Sequence, residues 1–259
     1  MLLEERVGIV TGAGMGMGKA VARRWASEGA HVVLTDINSE AGQTVADSIQ
    51  ADGGDARFVL ADSGSEEDWE NVISLTLQEF GGLDIMHNNA AVHFWFDTLN
   101  DPIEKWDELM RINLRGVFLG CRFAIPKMIE RGGGAIVNTS SVSALHGVPL
   151  QALYGASKAG VSLLTRSLAR AYGPNGIRVN AINPGTIDTP MLHQAAAEAA
   201  EMRTANEGPP GEQGPSANPA ALGRLGTAAE IASVVTFLVS DEASYVSGVE
   251  LPVDGAMMA

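Results

Sequence analysis

Apolar residues in this chain form short runs that are separated by longer amphipathic stretches. The runs predict seven β-strands, near residues 7–11, 31–36, 55–61, 83–87, 134–139, 177–182 and 249–253. In most of the intervening stretches, apolar positions recur with the spacing of a helix that covers one face of a sheet. Strands that alternate with helices are typical of parallel sheets. The pattern therefore predicts an α/β fold, with helices on both faces of a doubly wound parallel sheet.

A chain of 259 residues can bury a sizeable core, and the regular alternation of strands and helices favours one domain over two. We therefore expect residues 1–259 to form one domain. Within it, an Ala-rich helical run from Leu192 to Met202 precedes a segment dense in Gly and Pro, residues 206–223. This segment is either a surface connector or a mobile lid. Ligands of open α/β sheets bind at the carboxyl ends of the strands, where the segment emerges after the sixth strand.

Acidic residues outnumber basic ones, 31 against 17, which gives a formal net charge of −14. This balance argues against a nucleic acid or an anionic membrane as a partner. Cys121 is the only cysteine, which excludes an intrachain disulfide and a Cys-rich zinc site. The N-terminus lacks an apolar secretory core and no long apolar stretch occurs, so we expect a soluble, cytoplasmic protein. We also expect no metal, because the histidines at positions 31, 87, 93, 146 and 193 show no ligand spacing.

A glycine-rich turn follows the first predicted strand. The segment Thr11–Gly18 reads TGAGMGMG and leads into a helical pattern that begins at Lys19. Glycines let the backbone approach a pyrophosphate closely, and the helix N-terminus offers it unpaired N–H groups. This order of strand, turn and helix is typical of a Rossmann-type dinucleotide-binding domain. A tight connection that binds no ligand is the alternative.

A serine, a tyrosine and a lysine stand at fixed intervals in the second half of the chain. Tyr154 follows Ser141 by thirteen residues, and Lys158 follows Tyr154 by four. Tyrosine and lysine fall four residues apart by chance in many helices, so that pair alone carries little weight. Together with the serine and the glycine-rich turn, it indicates proton transfer beside a bound dinucleotide.

These motifs together resemble the short-chain dehydrogenase/reductase family in its single-domain form, over nearly the whole chain. Further matching segments are Asp62, Asn88-Asn89-Ala90-Ala91, Asn113 within Ile112–Gly116, and Pro184–Pro190. Three positions depart from the family pattern. Ala91 and Ala256 stand where the family usually has Gly, and Thr227-Ala228 stands where Pro is usual.

The resemblance implies a nicotinamide cofactor, a homotetramer, and the lid for residues 191–223. The catalytic residues would be Asn113, Ser141, Tyr154 and Lys158. The cofactor would contact Gly12, Gly14, Met15, Gly16, Met17, Asp36, Ile37, Asp62, Ser63, Asn89, Ala90, Ala91, Tyr154, Lys158, Pro184, Gly185, Ile187 and Thr189. Of these, Ile187 and Thr189 would lie at its nicotinamide end, and Lys158 would bind the nicotinamide ribose. The substrate would contact His93, Trp95, Ser141, Leu150 and Tyr154.

Proton transfer by a tyrosine needs assistance, because a free phenol has a pKa of about 10. On a helix Lys158 projects from the same face as Tyr154, so we expect its ammonium to lower the pKa of the phenol. Tyr154 would then be the general acid and base, and Ser141 would hydrogen-bond the same substrate oxygen. Ser140 competes for that role, but the thirteen-residue interval, as in the family, selects Ser141. The resemblance gives Asn113 a water relay to Lys158; a bond to backbone in a kinked helix is its alternative.

The second predicted strand ends at Asp36, whose carboxylate can accept hydrogen bonds from the adenosine ribose and repel a 2′-phosphate. Ile37 follows it, and Met15 lies in the glycine-rich turn, so neither position offers a cation to such a phosphate. We therefore expect NAD rather than NADP. The alternative is that Asp36 only caps a turn.

The run His93-Phe94-Trp95-Phe96 leaves the carboxyl end of the fourth predicted strand, where the chain lines the substrate cleft in this fold. Three aromatic side chains cannot all point into one core, so we expect at least one in the cleft. Packing under the next helix or at a subunit interface is the alternative. Further apolar surface comes from Leu145, Leu150 and Leu153. This composition predicts a bulky, uncharged alicyclic or aromatic substrate.

We therefore expect an NAD(H)-dependent oxidoreductase that interconverts a secondary alcohol and a ketone on a lipophilic small molecule. One alternative is a ketoreductase for acyl chains on an acidic carrier protein, for which Arg111, Arg115 and Arg122 could form a basic docking face. Another is a regulatory protein that binds NAD without turnover. The intact Ser141, Tyr154 and Lys158 set disfavours the regulatory alternative.

Overall fold

Seven parallel strands form one sheet in the computed structural model, which describes residues 1–204 and 220–259. The described residues contain nine strands in all, which in chain order are β1 (Val7–Thr11), β2 (His31–Asp36), β3 (Asp55–Leu60), β4 (Ile85–Asn88), β5 (Gly134–Thr139), β6 (Ile177–Pro184), β7 (Ile187–Asp188), β8 (Gly226–Thr227) and β9 (Glu250–Val253). The sheet has the order β3-β2-β1-β4-β5-β6-β9, and β7 pairs with β8 apart from it. The predicted α/β fold with its seven strands is confirmed; the short β7–β8 pair was not predicted.

Helices cover both faces of the sheet. They are α1 (Gly16–Ser27), α2 (Ser39–Ala51), α3 (Glu66–Phe80), α4 (Ile103–Met110), α5 (Gly116–Arg131), α6 (Ala152–Tyr172), α7 (Pro190–Thr204) and α8 (Ala228–Val239). Helices α1, α2 and α8 pack on one face, where Trp25, Ile49 and Val235 are buried. Helices α3, α5 and α6 pack on the other. Because both faces are covered, β1 is apolar along most of its length and wholly buried.

The order of the strands places a crevice beside β1. In the sheet, β1 lies between β2 and β4. The connection after β1 runs toward β2 and the connection after β4 runs away in the other direction, so the two connections diverge next to β1. Ligands of open α/β sheets bind at such a point, outside the carboxyl ends of the strands. The segments that leave those ends carry the predicted site residues.

Helix α7 follows β7 and contains the Ala-rich run that the sequence predicts to be helical. Residues 205–219, most of the predicted Gly- and Pro-rich part of the lid, lie outside the described residues. In the ranges that are described, no helix combines the length and the apolar character needed to span a bilayer.

Candidate active site

The glycine-rich turn between β1 and α1 leaves the start of the helix open to a ligand. Gly12 and Gly16 have φ of +61° and +54°, a region that side chains rarely adopt. A Cβ at Gly18 would overlap the Gly12 carbonyl, so the helix can lie directly on the turn only without one. No side chain caps the first residue of α1, and its first turn contains no acidic residue. The N–H groups at this end therefore suit a phosphate.

The carboxylate of Asp36 lies against this turn. One oxygen accepts a hydrogen bond from the Gly14 N–H at 2.8 Å, and the other accepts one from the Asn38 N–H at 2.9 Å. The turn-capping role weighed from the sequence is thus real. An ionised carboxylate has about four acceptor positions, so Asp36 keeps capacity for further donors. Ile37 beside it is 72% exposed.

The residue that follows β4 ties the glycine-rich turn to the middle of the sheet. The Asn89 side-chain amide donates to the Thr11 and Gly12 carbonyls at 3.0 and 3.2 Å. The Ala90 N–H donates to the Thr11 hydroxyl at 3.0 Å, and Ala91 is partly buried after it. The predicted cofactor contacts from β1 and β4 are therefore brought together.

Asp62 and Ser63 stand where β3 ends, as predicted. One Asp62 oxygen accepts from Arg111 Nη1 at 2.7 Å, and the other accepts from the Gly64 N–H at 2.8 Å. The Ser63 carbonyl accepts a hydrogen bond from the Trp69 indole at 2.9 Å. Asp62 is thus fixed by a cation from the turn between α4 and α5.

The segment after β6 closes the crevice from the side opposite β2. Gly185 donates its N–H to the Val253 carbonyl at 3.1 Å, which fixes the turn after Pro184. Thr189 approaches the glycine-rich turn, since a Cβ at Gly16 would lie 3.5 Å from its methyl carbon. Ile187, two residues earlier, is buried. The residues predicted for the nicotinamide end and those predicted for the pyrophosphate therefore face one another.

Ser141, Tyr154 and Lys158 meet at the carboxyl end of β5. Ser141 is the second residue after the strand, and its hydroxyl lies near enough to the Tyr154 hydroxyl to lower the pKa of that phenol. Lys158, one helical turn after Tyr154, has its Nζ 5.6 Å from the centre of the Tyr154 ring. The same Nζ donates to the Thr139 carbonyl at 2.8 Å. The predicted catalytic set is thus assembled by one strand end and one helix face.

Ser140, the competing serine, is turned away from the tyrosine. Its hydroxyl donates to the Lys158 carbonyl at 2.9 Å and lies 3.0 Å from the Ser162 hydroxyl. It is 1% exposed and is occupied in joining β5 to α6. Ser141 is therefore the hydroxyl beside Tyr154.

The pKa of Tyr154 moves in the direction opposite to the one predicted from Lys158. Burial raises the pKa of Tyr154 to about 12, and the hydrogen bond from Ser141 opposes the rise. Burial also lowers the pKa of Lys158 to about 8. Desolvation disfavours the charged phenolate, and this effect of burial decides the direction of the shift. The predicted lowering is wrong for the protein alone.

Asn113 lies in a turn of π-helix, Arg111–Arg115, that joins α4 to α5. Its side chain is fully buried and holds the Val92 backbone twice, accepting from the Val92 N–H and donating to the Val92 carbonyl, each at 2.8 Å. This is the backbone bonding weighed as the alternative. It fixes the loop after β4 immediately before His93.

That loop divides its aromatic residues between the crevice and a small core. The His93 ring lies 5.0 Å from the Tyr154 ring and 5.2 Å from the Trp95 ring, both edge to face. Phe96 is buried with Leu109 and Leu153, and Phe94 packs against the same group. For Phe94 and Phe96 the packing alternative applies, whereas His93 lies beside Tyr154 and Trp95 lies against His93. Leu153, predicted as cleft surface, is 1% exposed and belongs to that core.

Trp95 and Leu150 connect this loop to the rest of the crevice. The Trp95 indole N–H donates to the Ala195 carbonyl of α7 at 2.9 Å. Leu150 accepts a hydrogen bond from the Phe96 N–H at 2.8 Å and has φ of +58°. These bonds join the loop after β4 to α7 and to the segment that precedes α6.

The chain is similar to known proteins over nearly its whole length. A family model described as enoyl-(acyl carrier protein) reductase matches residues 12–257. The chain is 36% identical over 253 residues to 2,5-dichloro-2,5-cyclohexadiene-1,4-diol dehydrogenase of Sphingobium indicum, with 98% of this chain and 96% of that protein covered. The chain belongs to the short-chain dehydrogenase/reductase family. It is also 38% identical over 252 residues to cyclohexanol dehydrogenase of Acinetobacter sp., with 97% and 94% covered.

A solved structure of the short-chain dehydrogenase/reductase family has the same fold. The crystal structure of levodione reductase matches with a TM-score of 0.88 and 38% identity, and the match covers 98% of this chain and 97% of that one. The named relatives are dehydrogenases that act on CH–OH groups, so the protein is an oxidoreductase of this family. Family members typically bind nicotinamide cofactors.

One departure from the family pattern has a local explanation, and another keeps the backbone conformation of the residue it replaces. Thr227, where the family usually has Pro, caps α8: its hydroxyl accepts from the Glu230 N–H at 3.3 Å, and its own N–H donates to the Glu230 carboxylate at 2.8 Å. Ala256 keeps the left-handed conformation, with φ of +62°, that glycine adopts without strain.

Two residues of this site escape prediction from the sequence. The Thr139 carbonyl anchors Lys158, and the Thr139 hydroxyl lies 2.9 Å from His87 Nε2. His87 is fully buried, and burial lowers its pKa to about 3. His87 therefore stays neutral and adds no charge beside Lys158. Every residue has a backbone carbonyl, so the residue type at position 139 does not indicate this role. Only the position of Thr139 at the end of β5 could have indicated it.

Proposed function

We propose that the protein is an NAD(H)-dependent oxidoreductase that interconverts a secondary alcohol and a ketone on a lipophilic cyclic small molecule. The observation that carries this proposal is the position of Lys158, whose Nζ lies 5.6 Å from the centre of the Tyr154 ring and is anchored on the Thr139 carbonyl, with Ser141 beside the same phenol. Membership of the family supports oxidoreductase chemistry at CH–OH groups. The open start of α1 at the same edge of the sheet supports a dinucleotide beside these residues.

The residues present fit a nicotinamide dinucleotide. The glycine-rich turn and the uncapped start of α1 would hold its pyrophosphate, and Ile187 and Thr189 its nicotinamide end. An ammonium has three donors, and Lys158 uses one on the Thr139 carbonyl, so two are available for ribose hydroxyls. When bound in its oxidised form, the cofactor supplies the acceptor for the hydride that the alcohol loses, together with a positive charge.

Asp36 supports a preference for NAD over NADP. Its carboxylate is held at the turn by two backbone N–H groups, so it cannot easily move away from a 2′-phosphate. Ile37 supplies no charge to such a phosphate. Two like charges in this position disfavour the phosphorylated cofactor.

Tyr154 exchanges a proton with the substrate oxygen. With a pKa of about 12 in the protein alone, the phenol is protonated at neutral pH and suited to donate to a ketone. In the direction of oxidation it must first lose that proton. Lys158, with a pKa of about 8, remains mainly charged at pH 7 and favours the phenolate. Ser141 stabilises the phenolate and positions the substrate oxygen through its hydroxyl.

The surroundings of Tyr154 favour an uncharged ring compound. Trp95 and Leu150 offer apolar surface, and the loop from Ala91 to Phe96 contains neither Lys nor Arg for a carboxylate. Relatives named for cyclohexanol and for a cyclohexadiene diol support an alicyclic substrate. Burying such a ring against an aromatic side chain contributes roughly 1.5–3 kcal/mol.

A substrate screen tests this function. Purified protein is assayed for NADH formation with alicyclic, aromatic and steroid secondary alcohols, with short hydroxy acids and with acyl substrates, and each alcohol is repeated with NADP. We expect the highest kcat/KM with NAD and an alicyclic or aromatic alcohol. Short hydroxy acids outperforming these compounds would contradict the substrate class. Binding of NADH without turnover of any substrate would instead indicate the regulatory alternative.

The carrier-protein alternative has less support. Of the three arginines that could dock an acidic carrier, Arg111 pairs with Asp62 at 2.7 Å and Arg115 pairs with Glu66 at 2.7 Å. These carboxylates neutralise most of the basic face that docking would require. Comparing a free cyclic ketone with a carrier-bound acyl thioester separates the two functions.

We also propose that the protein is a homotetramer. Apolar side chains remain exposed on the face formed by α4, α5 and α6, among them Trp106, Phe118 and Leu163 at 40%, 42% and 60%. A second copy would remove them from water, as the resemblance to the family implies. Sedimentation velocity should give a tetramer, and Phe118→Glu should shift it to smaller species. A monomeric natural protein would contradict this.

A further inference from the structure

The imidazole of His93 lies beside Tyr154, and the protein does not use all of the hydrogen-bonding capacity of this ring. Its contacts with Tyr154 and Trp95 are made through ring faces and edges, at 5.0 and 5.2 Å between ring centres. Its Nδ1 is buried, and no residue of the described ranges hydrogen-bonds it. Buried polar atoms are nearly always paired, so this unpaired nitrogen shows that the protein does not use the polar groups of the imidazole itself. A ligand in the crevice would reach the ring through its other nitrogen, Nε2.

Packing alone does not require a histidine at this position. A phenylalanine has a ring of similar shape and could make the same edge-to-face contacts with Tyr154 and Trp95. It would also carry no unpaired nitrogen into a partly buried position. The nitrogen atoms of His93 therefore distinguish this residue from an apolar filler.

The environment of His93 keeps the ring neutral. Burial lowers the pKa of His93, and the negative charge of Glu198 on α7 opposes this only in part. A neutral imidazole has one donor and one acceptor, which matches a hydroxyl or a carbonyl oxygen rather than a carboxylate.

The position of His93 is fixed on both sides. Asn113 holds both polar backbone groups of Val92, the preceding residue. Trp95 is bonded to Ala195 on α7, and the Phe96 N–H is bonded to Leu150. A side chain held in this way can select among substrates, because it cannot move to accommodate a mismatched group.

We propose that His93 is a specificity-determining residue that hydrogen-bonds a second oxygen on the substrate ring, so that the preferred substrates are cyclic diols, hydroxyketones or diones. The first oxygen is the one that reacts at Tyr154. Because the imidazole packs directly against the phenol ring, another oxygen on the same small carbocycle can reach it. This inference rests on the proposed function and narrows its substrate class.

The test compares cyclohexanol with the 1,2-, 1,3- and 1,4-cyclohexanediols as substrates, with NAD as acceptor. The natural protein should show a higher kcat/KM for at least one diol than for cyclohexanol. His93→Phe should lower the ratio of diol to cyclohexanol kcat/KM by about 10-fold or more, because a site built to bond an oxygen loses that bond. His93→Gln, which keeps a donor and an acceptor, should restore part of the ratio.

The matched control is His31→Phe. His31 lies at the start of β2, at the opposite edge of the sheet, where its Nδ1 is 2.9 Å from an Asp55 oxygen. This variant should leave the ratio unchanged. Melting temperature and NADH binding of each variant show whether it is folded.

The possible outcomes separate this inference from the function on which it rests. Oxidation of cyclohexanol with no diol preferred, or an equal loss for both substrates in His93→Phe, overturns the role of His93 and leaves the proposed function intact. Failure to oxidise any of the four alcohols or to reduce the corresponding ketones overturns both. If His93→Phe does not fold, His93→Gln alone decides the matter. Loss of the diol preference in His93→Gln then counts against the proposal, and a retained preference supports it.

Discussion

The ammonium nitrogen of Lys158 lies 5.6 Å from the centre of the Tyr154 ring and donates a 2.8 Å hydrogen bond to the Thr139 carbonyl. The lysine therefore links the end of β5 to α6, in addition to placing a positive charge over the phenol. It is 1% exposed, so this charge is held with little contact with water. The consequences extend to both stability and turnover.

Lys158→Met should make stability less dependent on pH in the alkaline range. The folded pKa of Lys158 is about 8, below its ordinary 10.5, so between these values the unfolded chain binds more protons than the folded one. The natural protein should gain stability over the variant as pH rises from 8, by on the order of 2 kcal/mol at pH 10. Urea unfolding at pH 7 to 10 measures this difference. A difference that stays constant or shrinks over that range would show that Lys158 is not desolvated as described.

Asp36→Ala should relax the choice of cofactor. Removing the carboxylate removes the repulsion of a 2′-phosphate, so the ratio of kcat/KM for NADP to that for NAD should rise by about 10-fold or more. The variant also loses acceptors for the Gly14 and Asn38 N–H groups, and its melting temperature should fall. Asp52→Ala is the control, because it removes one exposed carboxylate away from the turn. If kcat/KM for NADP does not rise in Asp36→Ala, then Asp36 only caps the turn and does not select the cofactor.

Ser141→Ala and Ser140→Ala form a matched pair of neighbouring substitutions. Ser141→Ala removes the hydroxyl that bonds Tyr154 and should lower kcat by about 10²-fold with little change in NADH binding. Ser140→Ala breaks the bond to the Lys158 carbonyl and should act mainly on stability, by about 1 kcal/mol. Steady-state kinetics and urea unfolding of both variants check this. The opposite pattern would reassign the catalytic hydroxyl to Ser140.

Much of the fold and of this site could be predicted because its signals are local. The strands are short apolar runs, and Tyr154 and Lys158 share a helix face because they are four residues apart. Asp36 could be predicted from its place at the end of β2. Each of these inferences uses only the spacing of residue types along one segment.

What could not be predicted depends on contacts between distant segments. The raised pKa of Tyr154 results from burial by several elements, and helical spacing to Lys158 says nothing about it. Phe94 and Phe96 pack in the core with Leu109 and Leu153, whereas their neighbour His93 lies beside Tyr154. No local sequence pattern distinguishes these two locations. The Thr139 carbonyl acts through its backbone, which is the same in every residue.

The rate of cyclic-alcohol oxidation by Tyr154→Phe tests directly whether Tyr154 exchanges a proton with the substrate. Phenylalanine keeps the ring and removes the only group that the account assigns to proton exchange. We expect kcat to fall by about 10² or more, with NADH affinity, followed by fluorescence titration, nearly unchanged. A variant that binds NADH normally and keeps most of its turnover would contradict the assignment of Tyr154 as the general acid and base.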